Sequence, residues 1–175
     1  MIKSVLTTLA GIVLAVSTLT APVHAASTPA NTPRNISPHP MFVENVSPAD
    51  LPTTVSVLLE ETRAAGWSHL DTLNMSGVLA ARGFTLNPVL ILELCSGRHS
   101  ATLLGSDETR FMSSMIPCRV SVYQTSDRRV VISRMNSASM AEMMPGTVRT
   151  VIAASGAEME TIIARTLARL AALPR

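Results

Sequence analysis

The chain has 175 residues, 47% of them hydrophobic and 15% charged, with a formal net charge of +2. That length and composition fit one domain able to bury a core, and they exclude a chain disordered throughout. Lys3 is the only lysine, the remaining cations are 13 scattered arginines, and there are five aromatic residues in all. Neither a basic footprint nor a stacking surface for nucleic acid follows from that set.

Residues 1–25 read as a signal peptide. Lys3 supplies the positive start, Val5 to Leu19 the apolar segment, and Val23-His24-Ala25 a small-residue cleavage site ending at Ala25. No later segment is apolar enough to span a bilayer, so the expected product is periplasmic or secreted from a bacterium, with no membrane attachment after cleavage. Residues 26–40, rich in Pro, Ser and Thr, read as a disordered linker. Residues 41–175 read as a single α+β domain.

Within that domain Met41 to Val46 alternates as a first strand. Ser47 or Asp50 then caps a helix in which Leu51, Val55, Leu58, Leu59, Thr62 and Ala65 recur at helical spacing up to a stop at Gly66. Trp67 to Leu73 follows as a strand carrying a lone His69, and Asn74 caps a short helix over 75–82. Val89 to Leu94 is apolar apart from Glu93, the pattern of a strand buried on both faces. Ser96 caps a helix over 97–104 that ends at Gly105, and 106–114 reads as a polar loop.

The alternation of Cys118, Val120 and Val122, followed by the run Val130 to Met135, predicts a hairpin. Ser139 to Met144 gives a turn or two of helix before Pro145-Gly146 breaks the chain. A capping box, Ser155 with Glu158, then opens a long C-terminal helix whose stripe of Met159, Ile162, Ile163, Thr166, Leu167 and Leu170 must pack on a sheet.

Cys95 and Cys118 are the only cysteines, one at a strand end beside a helix N-terminus and the other in Pro117-Cys118-Arg119. In an exported domain an even cysteine count reads first as a structural disulfide. Two further readings stand beside it. A helix dipole with Arg98, His99 and Arg119 nearby would acidify both thiols and suit a redox-active pair meeting a periplasmic redox partner. Cys95, Cys118 and His99 could instead hold a metal, reduced copper being the best match because Met112, Met115, Met135, Met140, Met143 and Met144 add thioethers. Methionines at helical spacing are more often core filler.

Glu93 shares a strand face with Cys95 and reads as an ion-pair partner of Arg119 or Arg98. Cys95 with His99 lacks a third orienting group for nucleophilic catalysis. No Cys-x-x-Cys, His-Glu-x-x-His or phosphate-binding glycine loop occurs, so no motif specifies a cofactor.

Gly66-Trp67, Leu92-Glu93-Leu94-Cys95, Ala101 with Leu104, Pro117-Cys118-Arg119-Val120 with Val122-Tyr123, and Ser133 with Asn136 resemble the domain-of-unknown-function 302 family over about Met41 to Met144. The resemblance implies a curved, mainly antiparallel sheet with helices packed on one face, a TATA-binding-protein-like saddle, and pairing into homodimers. It assigns no activity. The chain departs from the family at Ser96-Gly97, where Asn-Pro is usual, and at Asp127-Arg128, where Asp-Gly is usual. The resulting expectation is an exported accessory module with a two-cysteine site, a disulfide or a redox or metal centre rather than a turnover enzyme. Its alternative is a carrier of a small apolar ligand, or a homodimeric interaction module, braced by a purely structural disulfide.

Overall fold

The structure is a computed structural model and describes residues 33–174. The signal peptide and most of the linker expected from the sequence lie outside that range. The described linker residues are placed against the first strand, β1 (Phe42–Ser47), rather than left free. Glu44 N–H donates to Asn35 Oδ1 at 2.8 Å and Ile36 N–H to Glu44 O at 2.9 Å. β1 is an edge strand, so its outer backbone groups need partners, and this turn supplies them.

Helix α1 (Leu51–Ala64) begins at Asp50, whose carboxylate accepts from Thr53 N–H at 2.8 Å, and ends before Gly66 at φ 76°. β2 (Ser68–Asn74) carries a bulge between His69 and Asp71, so the alternation expected along it breaks there and Leu70 is pushed out to solvent. Asn74 caps α2 (Met75–Ala80) as its position suggested, accepting from Gly77 N–H at 2.9 Å. β3 (Val89–Cys95) leads into α3 (Gly97–Leu104), and a 3-10 turn at Arg110–Met115 occupies much of the expected polar loop, with Met112 turned into the core. The hairpin is β4 (Cys118–Gln124) with β5 (Val130–Met135). In its turn Arg128 holds φ 67°, a left-handed position that glycine adopts more readily than a residue with a Cβ. Helices α4 (Ser137–Glu142) and α5 (Gly146–Ala171) complete the chain.

The five strands form one open antiparallel sheet in the order β1-β5-β4-β3-β2. The chain is therefore α+β, with one sheet face buried under helices. Leu92 and Leu94, Val120 and Val122, and Val130 and Ile132 fill that face and pack on Leu58 of α1 and on Met159, Ile162, Ile163 and Leu167 of α5. The strand expected to be buried on both faces is buried on one only. Leu92 and Leu94 are fully enclosed, whereas Ile91 and Glu93 on the other face are half-buried, because the helices cover a single side.

A second apolar cluster joins Leu103, Met112, Met140 and Ala141 to Val148, Val151 and Ile152 of α5. This cluster explains the largest departure from the sequence reading. The C-terminal helix starts at Gly146, not at a Ser155 capping box, and Ser155 Oγ simply donates back to Ile152 O at 3.2 Å within the helix. Val148, Val151 and Ile152 extend the stripe by more than two turns because α4 and the 3-10 turn give it something to cover.

Gly156 is where α5 and α4 come closest: a Cβ there would lie 2.4 Å from Ser137 Cβ. Helix propensity alone favours alanine over glycine by about 1 kcal/mol, while overpacking a close contact costs about 1–3 kcal/mol. Gly156→Ala is therefore expected to lower the unfolding free energy by about 1 kcal/mol in a denaturant titration, and adding Ser137→Gly should return most of the loss. A Gly156→Ala protein as stable as the parent would show that the two helices are not in tight contact.

Candidate functional site

Where the two apolar clusters meet they leave a cavity of about 360 Å³. Leu94 and Val120 of the sheet, Leu103 of α3, Met140 of α4 and Ile152 of α5 build its apolar wall. Cys95, Cys118, His99 and Arg119 also border it, Cys95 and Arg119 from the rows that alternate with the inward-facing Leu94 and Cys118, so four of the five residues singled out in the sequence converge there. Glu93 does not line it. It sits opposite Arg119 in the β3–β4 register and pairs with the guanidinium at 3.4 Å.

Cys118 opens β4 directly opposite Leu94, in the row that faces the helices, and it packs against the main cluster. Cys95 is one residue further along β3, so the pleat turns it out of the row shared by Leu94 and Cys118. Its Sγ lies 3.1 Å from Ser100 Oγ on α3. Both cysteines are free in this structure; the disulfide expected from their number is not formed. The one-residue offset in register is the geometric reason, since a disulfide needs two Cβ atoms aimed at each other.

Burial pushes the Cys118 thiol above its ordinary value, and charge on nearby Cys95 would push it the same way, against a weaker backbone hydrogen bond. The sequence expectation for this thiol, acidification, is thus reversed. The cations expected to assist are committed elsewhere, Arg119 to Glu93 and Arg98 to Glu158. Ser96 occupies the N-cap position of α3 but makes no side-chain capping bond.

His99 has the third group that the sequence did not reveal. Its Nε2 lies 3.1 Å from Glu158 Oε1, and Glu158 Oε2 accepts the Trp67 indole N–H at 3.0 Å. The Trp67 hydrogen bond, followed by the contacts with His99 and Arg98, holds the Glu158 carboxyl below the usual carboxylate range. Trp67, the residue before β2, also lines the cavity. In the sequence Glu158 has the spacing of a capping-box residue, and the partners that give it its place, His99 and Trp67, lie 59 and 91 positions away.

Among the described residues no group of three or more His, Cys, Asp or Glu side chains is arranged to hold a metal ion. Cys95, Cys118 and His99 share the cavity wall without making such a group. Of the methionines, Met112, Met140 and Met159 are buried in the clusters that border the cavity, while Met143 is exposed.

The chain matches the family model "Domain of unknown function DUF302" over residues 43–170. It belongs to that family. The match runs on through α5, so the long helix, which lay beyond the motifs legible in the sequence, is part of the DUF302 domain. The crystal structure of an uncharacterized conserved DUF302 protein from Bacillus stearothermophilus is similar to this chain at 20% identity and a TM-score of 0.64, covering 75% of this chain and 99% of that one. At that identity the likeness speaks for the fold. No curated protein matches the chain.

The raised Cys118 value has a consequence for stability against pH. A thiol that holds its proton more tightly when folded contributes stability that is complete below the ordinary thiol range, about pH 8.5, and is lost as pH climbs through the raised folded value. The unfolding free energy of the parent should therefore fall more steeply above that pH than that of Cys118→Ser. Parallel profiles for the two proteins would mean that Cys118 is not sheltered.

Proposed function

We propose that this DUF302 domain is an exported, non-catalytic binding module that holds a small, mainly apolar molecule between its sheet and its helices. The observation that carries this reading is the cavity itself: about 360 Å³, walled by aliphatic and thioether side chains from the sheet, α3, α4 and α5. That volume is of the size that small-molecule pockets occupy, and apolar walls with a few placed polar groups are their usual construction. The signal read in residues 1–25 supports action outside the cytoplasm.

The cysteines take part as wall. A half-buried thiol kept protonated, as Cys118 is, is a small polarizable apolar group, slow as a nucleophile because the thiolate is the reactive form. The raised Cys118 value therefore favours the ligand-holding reading over the redox pair. Acidified thiols would have favoured the reverse.

Trp67 is the sole tryptophan and lines the cavity, so binding has a built-in reporter. Titration with N-phenyl-1-naphthylamine, an apolar dye that takes energy from indole, is expected to quench Trp67 emission saturably at one dye per chain. Val151→Phe, which puts a larger ring into the wall, should weaken binding at least about tenfold, while Val46→Phe on the exposed sheet edge leaves it unchanged. Quenching that fails to saturate, or equal affinity in all three proteins, would rule out the cavity as the binding site.

A further inference from the structure

Resting on the cavity as a binding site, the geometry points to one class of occupant: an uncharged molecule with an apolar body and a weakly acidic hydroxyl, whose O–H is received by His99 Nδ1 while Glu158 positions the ring.

Both carboxylate oxygens of Glu158 are spoken for. Oε2 accepts the Trp67 indole N–H at 3.0 Å, and Oε1 lies 3.1 Å from His99 Nε2 and is also approached by the Arg98 guanidinium. The Trp67, His99 and Arg98 contacts all favour the ionised form of this carboxyl. An ionised carboxylate only accepts hydrogen bonds, and Oε1 at 3.1 Å is nearer to Nε2 than the Arg98 Nη2 donor at 3.4 Å, so the contact with Glu158 favours the proton on Nε2. In the neutral imidazole the other nitrogen, Nδ1, is then an acceptor. Among the described residues no hydrogen bond of the protein reaches it, and no buried side-chain nitrogen or oxygen is left without a partner, so this nitrogen is open to solvent on a residue that lines the cavity. The nearest polar neighbours in the sequence are already engaged, Cys95 Sγ with Ser100 Oγ at 3.1 Å. A carboxylate that fixes the proton on one imidazole nitrogen leaves the other as an acceptor to present to a ligand.

Charge on the wall narrows the class. Arg119 and Arg134 both line the cavity, but Arg119 pairs with Glu93, and Arg134 is taken by Glu160 and by Asn45 Oδ1 at 2.7 Å. Neither is left to neutralise an anionic head. No aspartate or glutamate lines the cavity to hold a cation. What remains is a largely apolar space with serine hydroxyls and one imidazole acceptor nitrogen, an uncharged set in which the imidazole is the strongest base and fits a neutral donor such as a phenolic hydroxyl.

Two probes of nearly equal shape test this on the full chain: 2-naphthol, which donates, and 2-methoxynaphthalene, which does not, each followed by Trp67 quenching. The parent is expected to prefer 2-naphthol by about tenfold, the worth of one hydrogen bond in an apolar site. His99→Leu should bind both alike, and Glu158→Gln should shrink the preference while still binding 2-methoxynaphthalene. Nitrogen-detected NMR on the unaltered protein gives an independent readout, because His99 should show a protonated Nε2 and a bare Nδ1, with Nδ1 shifting on addition of 2-naphthol alone. Equal affinity of the parent for both probes, or a preference that survives His99→Leu, overturns the assignment and leaves the cavity reading standing. Failure of both probes to bind overturns the two together, and a His99 found with its proton on Nδ1 overturns the positioning role of Glu158.

Discussion

Helix α5 runs 26 residues without interruption, about 39 Å at the ordinary rise, and has to satisfy two partners along that length. Its C-terminal half covers the sheet through Ile162, Ile163 and Leu167, and its N-terminal half covers α4 and the 3-10 turn through Val148, Val151 and Ile152. A rigid rod bridging two packing partners fixes the gap between them. The cavity is that gap, bounded by Met159 on one side and Ile152 on the other. Anything that shortened or bent α5 near Gly156 would change the cavity before it changed the sheet.

Polar contacts from the same helix hold it in place on the sheet. Glu160 reaches Arg134, which is buried on β5 and also donates to Asn45 on β1, so one carboxylate ties α5 to two strands. Glu158, two residues away, reaches Trp67 at the other side of the sheet and His99 on α3. Apolar packing supplies the larger stabilisation but is tolerant of sliding, whereas hydrogen bonds to buried groups are satisfied at one position only. Arg134 is 4% exposed and would be costly without its partners, so this pairing acts as a lock on register more than as a source of net stability.

How far the sequence speaks for itself follows from the range of each signal. Asp50, Asn74 and Gly66 act on neighbours within four residues, and the helix ends they mark are where their chemistry puts them. The β4–β5 hairpin is equally local. The buried row Val120 and Val122 is readable from alternation, whereas the apolar run of β3 hides that only Leu92 and Leu94 face the helices; the two cysteine strands do lie side by side. What failed was either ambiguous chemistry or a distant partner. Ser155 and Glu158 have the spacing of a capping box, yet serine back-bonds equally well inside a helix, and only the second cluster decides between the two. The His99–Glu158–Trp67 contacts join three elements that are separate in sequence, and the bulge in β2 is set by pairing with β3.

Cys95 and Cys118 show how a correct neighbourhood can carry the wrong chemistry. Reading them as facing ends of adjacent strands is right to within one residue, but in a pleated sheet one residue reverses the side-chain direction. Cys118 joins the inward row and takes on the character of its neighbours there, with burial holding it protonated. Cys95 leaves that row and turns to Ser100. Proximity of thiols in sequence space therefore does not select among disulfide, thiolate and inert wall. Register and desolvation do, and here both act against ionising the half-buried Cys118 thiol, which moves the chemical interest of the site from sulfur to the imidazole of His99.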